Sequence, residues 1–192
     1  MTPSDRDAFL AFFRAAAALK DTLRSGFTPG GRAESTAEHS WRLCLIAITL
    51  DEALGVDLRR LLELLVVHDL AEAVIGDVPA PLQADSTGDK AADERAALAG
   101  LFASLPQAAA ARLMARWDEY DAAATPEARA AKALDRLETV MTHVEGANPP
   151  DFDYAFNLAY GRRYTAGDPV LEALRARLDA ETDRLARERS AR

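Results

Sequence analysis

The sequence predicts an all-α fold, and two observations carry that prediction. Ala, Leu, Arg and Glu dominate the composition, all of them good helix formers, while runs that favour strands are nearly absent. Apolar residues recur with a helical period along the chain. The 192 residues suffice for one well-cored domain and are short for two. The chain therefore reads as a single domain over 1–192, a compact bundle of roughly eight helices.

Taken in order, residues near 4–24 form a first amphipathic helix, with Phe9, Phe12, Phe13, Leu19 and Leu23 apolar. A loop marked by Gly26, Pro29, Gly30 and Gly31 follows. Ser35 or Thr36 can cap a second helix. Glu38, three residues after Ser35, has the spacing of a capping box. That helix runs to about Leu54 and ends at Gly55, and a third spans roughly 57–73. Two prolines in Gly76-Asp77-Val78-Pro79-Ala80-Pro81 forbid a regular helix, and residues 82–88 read as loose and polar. Helices are expected near 90–103, 107–123 and 126–146, the last two starting at Pro106 and Pro126. Asn148-Pro149-Pro150 breaks the chain again. A short helix near 151–161 and a final one near 168–188 complete it. In the final helix Leu171, Leu174, Leu178 and Leu185 form one stripe, read first as docking on the core and alternatively as a dimer contact.

A net charge of −8 and a pI near 4.9 lack the cationic excess that a nucleic-acid polymer requires, although a small phosphorylated ligand needs only one or two local cations. The single cysteine, Cys44, lies in an apolar stretch and reads as a core side chain. No apolar run approaches the roughly 20 residues of a membrane span. The N-terminus lacks the pattern of a signal peptide, so a cytoplasmic enzyme with no membrane partner is expected.

The chemistry is concentrated in His68-Asp69. The pair lies within Leu64-Leu65-Val66-Val67-His68-Asp69-Leu70-Ala71-Glu72, where polar groups left buried and unpaired would cost several kcal/mol. A metal ion resolves that cost. His39, one of only three histidines, opens another helix, and Asp135 lies on a later one. Together His39, His68, Asp69 and Asp135 would offer two nitrogens and two oxygens from three helices. That donor set suits Mn, Co, Ni, Fe or Zn better than Ca. Singly each piece is ordinary: His39 can be a cap, and Asp135 can pair with Arg136 or Lys132. Neighbouring helical residues point about 100° apart. Both members of the pair therefore reach one ion only over an edge of the helix. Glu72, four residues after His68, shares that face and can handle a proton or orient water. His143, two turns beyond Asp135, is expected to be structural.

The order His39, His68-Asp69, Asp135 resembles the HD-domain metal-dependent phosphohydrolases. Glu34-Ser35-Thr36-Ala37-Glu38-His39-Ser40-Trp41-Arg42, Val67-His68-Asp69-Leu70-Ala71-Glu72 with Gly76-Asp77, and Lys132-Ala133-Leu134-Asp135-Arg136-Leu137-Glu138 are similar to the 5′-deoxynucleotidase branch. The similarity is clearest over about 20–146, and the helices of 147–192 carry no matching motif. The resemblance implies a helical HD domain, usually a homodimer, that removes phosphate from deoxynucleoside 5′-monophosphates. It implies catalytic roles for Glu72 and Asp77. Asp77, in a Pro-rich loop, can equally cap its turn. By the same resemblance Leu23-Arg24-Ser25-Gly26-Phe27 corresponds to an Arg-aromatic feature that holds phosphate and sugar, with Arg24 and Phe27 as substrate-binding residues. Arg32 is a second candidate for the phosphate.

One divalent ion (Mn, Co, Ni, Fe, Zn or Mg) is expected, because dinuclear relatives place extra histidines between the HD pair and the last aspartate. Residues 70–134 contain none. Two alternatives stay open: an HD hydrolase of another phosphate, such as a nucleoside triphosphate or ppGpp, and a non-catalytic helical metal-binding module.

Overall fold

The computed structural model describes residues 2–79 and 90–191. The loose polar stretch expected at 82–88 lies outside the described residues.

Helix α1 (Pro3–Ala16) starts from a capping box in which Thr2 Oγ1 accepts from the Asp5 N–H and the Asp5 carboxylate accepts from the Thr2 N–H. It ends well before residue 24. A 3₁₀ turn (Ala17–Lys20) intervenes, and a small antiparallel ribbon replaces the expected end of the helix and the loop after it. The ribbon is made of β1 (Leu23–Phe27) and β2 (Ala33–Ser35). Gly26 gives the physical reason. It is a poor helix former, and a Cβ built on it would lie 2.8 Å from Thr142 Cγ2 and 3.3 Å from His143 Cδ2. Only a bare backbone can approach that surface so closely, and the strand carrying it holds Arg24 beside the later helix. The fold remains helical, with this one ribbon added.

Helix α2 (Thr36–Thr49) opens with the expected capping box: Ser35 Oγ accepts from the Glu38 N–H, and Glu38 accepts from the Ser35 N–H. A break at Leu50 leads to α3 (Asp51–Leu54), closed by Gly55 in the left-handed region at φ 61°. Helix α4 (Leu58–Val67) is capped by Asp57. The segment expected as one helix over 57–73 is divided. His68 N still donates to Leu64 O, four residues back. Leu70 N donates to Val67 O at 3.1 Å and Glu72 N to Asp69 O at 3.0 Å, only three residues back. His68 and Asp69 thus sit in a tightened turn, between α4 and the short α5 (Glu72–Ile75).

The remaining elements fall close to expectation. They are α6 (Lys90–Phe102), α7 (Gln107–Ala122), α8 (Pro126–Glu145), α9 (Tyr154–Ala159), α10 (Arg162–Thr165) and α11 (Pro169–Ser190). Helix α8 is the axis of the molecule and packs against β1, α2, α4, α7, α10 and α11. Its buried Ala128, Ala131 and Ala133 let neighbours approach, while Leu134, Leu137 and Val140 fill the core with Leu43, Leu61, Leu64 and Leu65. Leu171 and Leu178 dock α11 on that core, as its apolar stripe predicts. A second cluster, around Phe12, Val67, Leu70, Phe102 and Trp117, seals the far side of the His68 turn. Cys44 is half-buried against the first cluster. No helix among the described residues is long and apolar enough to cross a membrane.

Candidate metal centre and active site

Three elements that meet at α8 bring the candidate ligands together. His39 comes from the first turn of α2, His68 and Asp69 from the turn after α4, and Asp135 from the middle of α8. One ligand atom each from His39, His68 and Asp135 lies within 4.8 Å of the others. His39 Nε2 is 3.3 Å from Asp135 Oδ1 and 3.8 Å from Asp69 Oδ2. His68 Nε2 is 2.9 Å from Asp69 Oδ2. Despite these approaches, both Nε2 atoms are buried without a hydrogen bond of acceptable alignment. Two imidazole nitrogens aimed at one carboxylate-lined point, with neither satisfied, fit a cation between them.

The other nitrogen of each ring is fixed. His68 Nδ1 lies 2.7 Å from Leu65 O, which sets it as the protonated, donating nitrogen. His39 Nδ1 is held by the Glu138 carboxylate, which is fully buried and also accepts from Thr142 Oγ1 at 2.9 Å. Such partners orient metal-binding imidazoles and leave Nε2 as the free lone pair. Burial alone would lower the His39 pKa, but Glu138 and Asp135 raise it to about 10 when no cation competes. Burial opposes ionisation of Asp69 and Asp135, yet His68 pulls the first below the usual carboxylate range, and Arg136 with His39 does the same for the second. Tyr120 Oη donates to Asp135 Oδ2 at 2.7 Å and aims the other oxygen, Oδ1, at His39.

The cluster forms the floor of a cavity of about 360 Å³, a size that suits a small ligand. Arg24, Phe27, Glu72 and Asp77 line it together with His68, Asp69 and Asp135. Arg24 Nη1 is 3.5 Å from Asp69 Oδ2, and Nη2 donates to Thr139 Oγ1 at 3.1 Å. Glu72 Oε2 accepts from Thr36 Oγ1 at 2.8 Å. Burial, then the Asp69 and Asp77 charges, push the Glu72 carboxyl up to about 8. Burial likewise raises Asp77.

Arg32 is the one candidate that does not join them. Its side chain is 63% exposed, binds Glu38 through both guanidinium nitrogens, and stands outside this cavity. Arg42 is also turned away, donating to Glu145 at 2.7 Å. His143 is buried in the cavity wall, with Nδ1 3.0 Å from Asn157 Oδ1 and its ring edge-on to Phe152. It is a wall residue outside the ligand cluster.

Several site residues carried no role of their own in the sequence: Tyr120, Glu138, Lys132, Arg136 and the aromatic wall of Phe152, Phe156 and Tyr160. Spacing on α8 is the signal that points to some of them. Lys132, Arg136, Thr139 and His143 follow one another at three or four residues, on the face that also presents Asp135.

A family model described as HD domain matches residues 16–175. The 5′-deoxynucleotidase HDDC2 of Bos taurus is 33% identical over 145 residues, covering 73% of this chain and 69% of the relative. The protein of the same name from Danio rerio is 31% identical over 137 residues, covering 70% and 68%. Among solved structures, a predicted metal-dependent phosphohydrolase from Magnetospirillum magnetotacticum MS-1 superposes with a TM-score of 0.79 at 34% identity, covering 94% of both chains. A conserved hypothetical protein from Pyrococcus furiosus superposes with a TM-score of 0.63 at 26% identity, covering 86% of this chain and 99% of the other.

Proposed function

The chain belongs to the HD-domain family, and we propose that it is a metal-dependent phosphohydrolase that removes phosphate from deoxynucleoside 5′-monophosphates. The two buried Nε2 atoms of His39 and His68, without a hydrogen bond and set beside Asp69 and Asp135, carry this reading, because they form a donor set that suits a divalent cation. The nucleotidase names of relatives matched over about 70% of the chain support the substrate class.

His39, His68, Asp69 and Asp135 would hold one divalent ion. When bound, that ion supplies Lewis acidity toward a phosphate oxygen and acidifies water. Arg24 neutralises phosphate charge at the Asp69 side of the cluster. Glu72, with its carboxyl raised to about 8, keeps a proton near neutral pH and delivers it to the departing sugar oxygen. Asp77, in the loop beside Glu72, holds water or a sugar hydroxyl. Phe27 gives the sugar an apolar face. Arg32 takes no part in this arrangement.

The single-domain reading of 1–192 is supported by the reach of the family match and by cavity walls drawn from both sides of residue 146. A homodimer is supported by Trp41, Leu45 and Ile48, an exposed apolar stripe along α2 that a second copy would cover. The acidic balance supports a small nucleotide over a nucleic-acid polymer, and a cytoplasmic setting completes the proposal.

The test is phosphate release from a panel of nucleoside mono- and triphosphates. Metal-stripped protein is reloaded in turn with Mn, Co, Ni, Fe, Zn and Mg, with Asp69→Ala as control. Metal-dependent release from deoxynucleoside monophosphates, lost in the control, is expected. Release from triphosphates alone would move the substrate class, and silence with metal bound would end the catalytic reading.

A further inference from the structure

Arg136 follows a candidate ligand directly and is more than that ligand's partner. Its Nη1 lies 3.3 Å from Asp135 Oδ2 and also donates to Tyr160 Oη. Its guanidinium stands 5.0 Å from the Tyr160 ring centre and 6.0 Å from that of Tyr164. The backbone is shaped around it. Gly161 sits at φ +68°, and a Cβ there would meet Arg136 Cβ at 2.4 Å. A side chain held beside two tyrosine rings, by a hydroxyl and against a bare glycine has little rotamer freedom left to lose on binding a ligand.

One turn earlier on the same face, Lys132 lines the same cavity. Its Nζ stands 3.8 Å over the Tyr120 ring. Among the described residues it forms no ion pair with a carboxylate, and it is half-buried. A cation kept in a cavity wall over an aromatic face, beside the like charge of Arg136 and without a paired carboxylate, favours an anion in that cavity. Arg24 already serves the Asp69 side of the metal cluster, while Arg136 and Lys132 serve the Asp135 side.

We propose that Arg136, assisted by Lys132, binds the substrate's phosphate from the Asp135 side, so that the phosphoryl group is gripped between two arginines with the metal cluster beneath it. The ligand chemistry is a phosphate dianion carried on a monoester. The free guanidinium N–H groups of Arg136 offer the planar fork that phosphate oxygens accept. This assignment rests on the phosphohydrolase reading for its substrate, but its probe is inorganic phosphate, which needs no turnover.

The experiment is calorimetric titration of metal-loaded protein with orthophosphate, for wild type, Arg136→Ala, Arg136→Lys, Lys132→Ala and Tyr160→Phe, with metal content measured on every sample. Arg136→Ala is expected to weaken phosphate about tenfold or more with metal content unchanged, the size of a lost charge-assisted hydrogen bond. Arg136→Lys should recover part of that loss, and Lys132→Ala should weaken phosphate severalfold. Phosphate affinity within twofold of wild type in Arg136→Ala overturns the proposal. So does affinity lost only together with the metal, which would make Arg136 a brace for Asp135. If Arg136→Ala does not fold, Lys132→Ala and Tyr160→Phe decide by the same comparison. A wild type that binds phosphate through Arg136 but hydrolyses no nucleotide refutes the proposed reaction and leaves the phosphate grip standing. A wild type that binds no phosphate refutes the grip.

Discussion

Glu138 lies one turn beyond Asp135 on α8, and its fully buried carboxylate holds the Nδ1 of His39 on α2. The helix that presents one candidate ligand therefore orients another. A Glu138→Gln protein keeps the shape but loses the charge that favours an Nδ1–H tautomer. Divalent metal affinity should fall by about 10- to 100-fold, the usual cost of losing such a partner. Competition against a metallochromic chelator reads this directly, and unchanged affinity would reduce Glu138 to packing.

The raised carboxyl of Glu72 makes stability depend on pH in the metal-free protein. Folded Glu72 holds its proton up to about pH 8, whereas the unfolded group releases it near the ordinary value of 4.5. The folded state thus binds more protons across that window, and stability falls as pH rises through it. Glu72→Gln cannot ionise and escapes the penalty. Melting curves should show the variant gaining on wild type by about 3 kcal/mol, or roughly 10 °C, between pH 5.5 and pH 8.5. A gap independent of pH would show that Glu72 titrates normally. Phosphate release by the same variant should collapse at every pH.

Gly161 is bare because Arg136 needs the space. Gly161→Ala adds a methyl against Arg136 and a side chain at positive φ. A loss of about 1–3 kcal/mol in urea unfolding is expected. Metal content should be untouched, since no candidate ligand lies on α9 or α10.

The helix that carries His39 depends on its first turn. Ser35→Ala removes the oxygen that caps the Glu38 N–H. About 1 kcal/mol of stability should be lost. A larger loss in metal-free than in metal-loaded protein would show that the ion also pins this turn, by mass action on the folded state.

Helix positions and the candidate residues His39, His68, Asp69 and Asp135 were legible because they leave local marks. Ser35 and Glu38 spell out a cap, Gly55 a stop, and His68-Asp69 is incongruous among leucines. The ribbon at Arg24 was not legible. Its cause is a contact between Gly26 and Thr142, far away in the chain, and local helix propensity runs smoothly through residue 16. The turn at His68 was also hidden, since Leu64 to Ala71 looks helical throughout, yet the chain tightens there and both members of the pair reach the cluster. Arg32 and Arg24 could not be ranked from sequence, because what separates them is a neighbour. Glu38 occupies the first, while Thr139 and Asp69 draw the second inward.

Arg175, on α11, is buried, with Nη1 donating to Tyr160 O at 2.6 Å and Nη2 to Asn157 O at 2.5 Å. It moors the peptide that presents Tyr160 and Asn157 to the cavity, although it touches neither metal ligand nor cavity itself. Damage to this molecule therefore comes in two separable kinds. A lesion at a candidate ligand or at Glu138 shows as a protein that loads poorly, whereas a lesion at Arg175 leaves a fully loaded protein whose substrate finds a slackened wall. Metal stoichiometry by itself is consequently a poor certificate of a working preparation.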